Sequence, residues 1–277
     1  TIATEHAAVL DTVEALRRGG RTVTVLPVGA DGVVDMGAAA QAIRPGVALV
    51  AVMLVNNEIG VIQPVTALAE LAHRAGALLL CDAVQGYGRV PIPDACDMVA
   101  ISAHKIHGPK GVGALWLRNG VSPAPLLHGG GQEGGLRSGT LSPALCAGFG
   151  VAARLMRERA EADRAHVELL SDLARTLFAD WTINGSMTAR YPGNLNLRRA
   201  GIDGARLLSD CRNIAFSLGS ACASGSGRPS HVLRALGLTD AQARGSVRIG
   251  FGRYTTSAEL ESAAEALNRA AAAQAAL

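Results

Sequence analysis

Apolar residues gather in short runs: TVTVL at 22–26, VALVAVMLV at 47–55, ALLLCDA at 77–83, DMVAIS at 97–102 and VGALWL at 112–117. Runs of this length predict strands, and their lack of apolar/polar alternation predicts strands covered on both faces. Between the second and third, PVTALAELAHRA at 64–75 places Leu68 and Leu71 at helical spacing behind Pro64 at a helix start. Strands alternating with helices predict an α/β unit on a mostly parallel sheet, with ligands expected beyond the carboxyl ends of its strands. From about Ser142 an Ala/Leu/Arg/Glu pattern runs to about Asp180 and predicts one or two helices. A smaller α+β region follows. It holds GNLNLR at 193–198, a helix near 203–212, NIAFSLGS at 213–220, a helix over 229–236, the strand SVRIGF at 246–251 and an Ala-rich terminal helix. The expected division is a large domain over 1–160 and a small C-terminal one over 161–277, with no internal repeat.

Composition narrows the classes. With 49% hydrophobic and 18% charged among 277 residues, the chain can bury a core and disorder is excluded. The longest apolar stretches fall far short of the roughly 20 residues that span a bilayer. The opening TIATEHAAVLDTVEALRRGG lacks the unbroken apolar stretch of a signal peptide and has no starting methionine. A cytoplasmic location without membrane contact is expected, and the start reads as an interior cut. A net charge of +3 with only 3% aromatic residues gives little support for nucleic-acid binding. Of the five cysteines no two lie closer than eleven positions, so neither a CxxC metal or redox site nor a disulfide framework is indicated, and no metal is expected.

Three strand ends carry polar residues in succession: VNNEIG at 55–60, CDAVQ at 81–85 and SAHKIHGPKG at 102–111. Asp82 alone reads as a turn or cap residue as readily as a functional carboxylate. Lys105 shifts the balance, because it directly follows a strand between His104 and the turn residues Gly108 and Pro109. Cys222 sits in SLGSACASGSGRP, a run of small residues that cannot build a core. Cys81, Cys96, Cys146 and Cys211 read instead as small structural hydrophobes. Gly129–Gly134 matches GxGxxG by letter, but no strand-to-helix turn surrounds it and a dinucleotide site is not expected.

Taken with TEHAAVLD at 4–11, HGGGQEGGLRSGT at 128–140 and GSGRPSHVLRALG, these fragments resemble the cysteine desulfurases. That family is the class V branch of the pyridoxal 5'-phosphate (PLP) enzymes of fold type I. The resemblance runs over nearly the whole chain and implies an α/β large domain with a smaller C-terminal α+β domain. It also implies roles. Lys105 would bind PLP covalently and move the substrate's Cα proton, which requires a pKa well below the roughly 10.4 of a free lysine. Asp82 would pair with the pyridine nitrogen, Gln85 with the phenolic oxygen, and Asn57 with that region and the substrate carboxylate. His6 would stack on the ring, with a possible proton-transfer role. Ser102 and His104 would contact the phosphate, joined by Thr140 from the other subunit of a homodimer. Arg248 would hold the substrate α-carboxylate bidentately, with Arg253 left to support the strand end. Cys222 would attack the sulfur of L-cysteine, release alanine and keep a persulfide.

The expected partners are L-cysteine, a second subunit and a sulfur-acceptor or iron–sulfur scaffold protein. In that family a further N-terminal segment carries a Gly-Thr loop on the phosphate, and this sequence does not show it. The resemblance leaves two alternatives open, a selenocysteine lyase and a non-catalytic fragment or interaction module of the same fold.

Overall fold

In the computed structural model, residues 1–219 and 229–275 are described. The chain opens with helices α1 (Ala7–Arg18) and α2 (Met36–Ala42), then runs through β1 (Leu49–Met53), α3 (Val65–Arg74), β2 (Leu78–Asp82), β3 (Met98–Ser102) and β4 (Gly113–Leu117). Two long helices follow, α4 (Pro143–Glu158) and α5 (Ala160–Leu177), then β5 (Thr182–Ile183), β6 (Asn194–Arg198), α6 (Gly204–Asp210) and β7 (Ser217–Leu218). Short helices α7 (His231–Ala235) and α8 (Asp240–Arg244), strand β8 (Ser246–Gly250) and helix α9 (Ser257–Ala275) complete it. Among the described residues no helix is long and apolar enough to cross a membrane.

Contacts group these elements into two units. One comprises Ile43–Leu54 and Val65–Ala160; the other comprises Thr1–Ala42, Val55–Pro64 and Glu161–Leu277. The first holds a sheet in the order β1-β2-β3-β4, in which the first three strands are parallel and β4 is antiparallel to β3. It is the mostly parallel α/β sheet that the alternation of strands and helices predicts. Leu79 and Cys81 of β2 and Leu68, Ala69 and Ala72 of α3 are fully buried, which fits unbroken apolar runs in strands covered by helices. β4 departs from this: Leu115 is 50% and Trp116 51% exposed.

The second unit is built on an antiparallel sheet in the order β5-β6-β8-β7. One face is apolar, with Leu195, Leu197, Val247 and Ile249 packed under Leu170 and Ala174 of α5 and Leu260, Ala264 and Leu267 of α9. The other is polar yet buried. Asn196, with no exposed surface, accepts from Asn184 Nδ2 at 2.7 Å and donates to the carbonyl of Glu58 at 3.3 Å. Residues 55–64 therefore form a hairpin against this face. Val55 bridges Ile62, and the Asn56 side chain accepts from the N–H groups of Glu58 and Ile59 at 2.8 and 2.9 Å. Gly60 turns it with φ of +70°, where a Cβ would stand 2.9 Å from the carbonyl of Asn194.

Two expectations change. TVTVL at 22–26 is not a strand: only Leu26 pairs, through one parallel bridge to Ile2, and Val25 is exposed. A β-branched run without a neighbouring strand has no ladder to join. Cys146 is exposed on α4 instead of buried.

Candidate active site

The residues singled out from the sequence fall into two groups, one in each unit. In the first unit, parallel strands β2 and β3 end side by side. Asp82 lies opposite Ala100 in register, and Ser102 follows two residues on, so Asp82 and Ser102 share a face of the sheet. The Asp82 carboxylate is half-buried and accepts the Val84 N–H at 3.0 Å. This is the turn role that an isolated aspartate would have, and it also fixes the carboxylate at the strand end.

β3 runs into a single 3₁₀ turn, Ala103–Ile106, which carries His104 and Lys105. The turn closes on His107 with φ of +66° and on Gly108, where a Cβ would come within 2.8 Å of the Ala103 carbonyl. Ser102 Oγ and His104 Nδ1 are 2.8 Å apart. Desolvation, then the positive charges of Lys105 and Lys110, hold the exposed His104 imidazole below its usual range. Arg89, which sequence reasoning missed, ties two of these turns together: it donates to the carbonyl of Gln85 at 3.1 Å and to that of Lys105 at 2.6 Å. No local pattern marks it, because the partner that ties it to the second turn, the Lys105 carbonyl, lies sixteen positions away.

Thr140 is exposed, at the end of the Gly-rich stretch. That stretch forms a 3₁₀ turn at Glu133–Gly135, with Gln132 Oε1 accepting the Gly139 N–H at 2.9 Å, and makes no strand-to-helix phosphate turn.

In the second unit, His6 caps α1: its Nδ1 accepts the Ala8 N–H at 3.1 Å. A neutral ring so placed carries its proton on Nε2. Asn57 and Arg248 meet directly. Arg248 donates Nη1 to the Asn57 carbonyl at 2.8 Å and Nε to Ser217 Oγ at 3.0 Å, while Asn194 Nδ2 reaches the same carbonyl at 3.2 Å. Arg253 is committed elsewhere, in a bidentate pair with Asp163 of α5 at 2.5 to 3.0 Å. The side-chain bond to Asp163 raises its pKa further, so it supports the end of β8. Glu58 is the second residue that sequence reasoning missed. It is buried, hydrogen-bonded to Ser230, and pushed up in pKa by desolvation. Cys222 lies outside the described residues. Among the described residues no three His, Cys, Asp or Glu side chains gather as metal ligands.

The donor set at the ends of β2 and β3 suits a zwitterionic ring phosphate. A carboxylate stands at one strand end, and a hydroxyl, an imidazole and an amine beside a second lysine stand at the next.

Comparison with known proteins points the same way. The Aminotransferase class-V family pattern matches residues 1–262. A mitochondrial cysteine desulfurase of Eremothecium gossypii is 48% identical over 269 residues, which is 94% of this chain and 55% of that protein. The chain thus spans about half the length of the curated relatives it matches. A solved NifS-like protein superposes with a TM-score of 0.89 at 31% identity, covering 100% of this chain and 75% of its own. SspA, solved in complex with cysteine, gives a TM-score of 0.79 at 32% identity, over 92% and 74% of the two chains.

Proposed function

The chain belongs to the class-V aminotransferase family, and from that premise we propose that it binds pyridoxal 5'-phosphate and desulfurates L-cysteine, leaving L-alanine and a persulfide on Cys222. The observation that carries this reading is the order of charge at two adjacent strand ends, Asp82 on β2 and then Ser102, His104 and Lys105 after β3. The cysteine bound to SspA supports the choice of substrate. When bound, the cofactor supplies an electron-withdrawing ring that loosens the Cα–H and C–S bonds of an attached amino acid.

The chain's own residues do the rest. Asp82 holds a proton on the pyridine nitrogen, Gln85 steadies the phenolic oxygen, and Ser102 and His104 take the phosphate, with Thr140 contributed across a homodimer. Lys105 anchors the cofactor and carries the proton at the substrate's Cα. Arg248 and Asn57 orient the substrate carboxylate: Arg248 is already held in its plane by Ser217 and the Asn57 carbonyl, so little rotamer freedom remains to be lost. His6 stacks on the ring face, and since its Nδ1 is engaged by the Ala8 N–H, Nε2 is the ring atom left to face the reacting groups. The Cys222 thiolate attacks the substrate sulfur; the S–S bond forms as the C–S bond breaks, and the three-carbon product takes up a proton and leaves as alanine. The persulfide then passes to an acceptor protein in the cytoplasm, an iron–sulfur scaffold being the expected class.

With cofactor supplied, Cys222→Ala is expected to take up the cofactor normally yet release alanine from L-cysteine at least a hundredfold more slowly. Borohydride reduction of the wild-type chain should leave the label on the peptide containing Lys105. Near-normal alanine release by Cys222→Ala, or label on Lys110, overturns the reading.

A further inference from the structure

Glu58, at 1% exposure, is a deeply buried acid that the chemistry above leaves unused. It sits in the 55–62 hairpin, its N–H bound to Asn56 Oδ1 and its carbonyl to Asn196 Nδ2, so its backbone has no slack. Its Oε2 accepts a hydrogen bond from Ser230 Oγ at 2.5 Å. The same oxygen lies against Gly219: a Cβ built there would stand 2.7 Å from Glu58 Oε2 and 2.9 Å from Ser230 Cβ. Gly219 directly follows β7, and Ser230 is the N-cap of α7, its side-chain oxygen accepting the Leu233 N–H. Cys222 lies between them in the sequence. One carboxyl therefore touches both points at which the Cys222 segment leaves and rejoins the described structure. The neighbouring Asn57 receives Arg248, which also holds Ser217 just ahead of Gly219.

Resting on the desulfurase reading, we propose that Glu58 is a positioning residue that pins both ends of the Cys222 segment, through Gly219 and Ser230, to the hairpin that carries Asn57. The substrate-carboxylate arginine and the sulfur-accepting cysteine are then referred to the same short turn. Desolvation, which outweighs the Ser230 bond and the charges of His231 and Arg248, pushes the Glu58 carboxyl up in pKa. The geometry asks the side chain to accept from Ser230 and to fill the space against Gly219, and a glutamine can do both.

The test compares Glu58→Ala with Glu58→Gln in the full chain. In Glu58→Ala the backbone amides of Gly219 and of residues 231–233 are expected to exchange at least tenfold faster, while those of β6 and β8 keep wild-type rates. Labelling of Cys222 by iodoacetamide, read by peptide against the exposed Cys146, should change at least threefold. With cofactor and L-cysteine, kcat should fall at least tenfold with KM within threefold. Glu58→Gln should stay within twofold of wild type throughout. Unchanged exchange at Gly219, equal acceleration in β6 and β8, or a glutamine variant that behaves like alanine overturns the proposal.

Should Glu58→Ala fail to fold, Ser230→Ala removes the same bond from the other side. It is expected to speed exchange at Gly219 at least threefold, which loss of the α7 cap alone would not do, and an unmoved Gly219 overturns the proposal. If the wild-type chain makes no alanine from L-cysteine, the desulfurase reading fails while exchange and labelling still decide the role of Glu58.

Discussion

Asp97 shows how a single buried charge is supported. It is 5% exposed and accepts the Leu79 N–H at 2.8 Å; His73 Nε2 lies at 2.8 Å, and Arg118 Nε at 3.2 Å in an ion pair without hydrogen-bond alignment. Burial opposes the charge, but the Leu79 N–H, His73 and Arg118 together outweigh it and hold the carboxyl below the usual range. A folded-state pKa below the unfolded value, about 3.9, contributes stability that is present above that pH and lost as pH falls through the folded value. Asp97→Asn should cost about 2 kcal/mol at pH 7, the worth of charge-assisted hydrogen bonds. In urea denaturation the gap between the two proteins should narrow as pH drops below about 4, and a gap independent of pH would contradict this account. At this scale the sequence discloses some residues and hides others. Asp82, Ser102 and Lys105 stand out because they interrupt apolar runs, whereas Glu58 takes its meaning from Ser230, 172 positions away, and no local pattern encodes that.

Between β3 and β4 the decisive element is the turn that carries Lys105. Gly108 is there because a methyl would meet the Ala103 carbonyl at 2.8 Å, and that oxygen already accepts the Gly108 N–H at 2.9 Å. Backbone cannot yield as a flexible side chain can, so Gly108→Ala should lower stability by more than about 1 kcal/mol. It should also loosen cofactor retention more than Gly150→Ala does, since a methyl at Gly150, on helix α4, meets nothing within 4 Å. Thermal melts and cofactor titrations of the two variants check this, and equal retention would sink it. The antiparallel sense of β4 follows from chain length: residues 103–112 are too few for a parallel crossover, which needs a dozen or more. The failure at 22–26 has the opposite cause, since strand propensity counts only where a neighbour offers a ladder.

Across the molecule, the grouping of 1–42 and 55–64 with 161–277 rests on pairings such as Val61 with Arg190 and His231 with the Glu5 carbonyl. Linear changes of composition carry no trace of such contacts. β4 lies at the edge of its sheet, its outer positions apolar and uncharged over Gly113–Leu117. An edge of that kind is a template for pairing with other chains. Leu115→Lys should therefore reduce concentration-dependent light scattering while shifting stability by no more than about 0.5 kcal/mol, as for other surface substitutions; unchanged scattering would show that association starts elsewhere. The anchoring of Gly219 and Ser230 on one carboxyl has a further consequence, for engineering. Two end points that already touch make 220–228 an exchangeable cassette, because closing a longer insert requires no movement of either end. Doubling its nine residues should cost only about 0.6 kcal/mol of closure entropy, so segments of other lengths can be grafted between the same two posts without touching the sheet beneath.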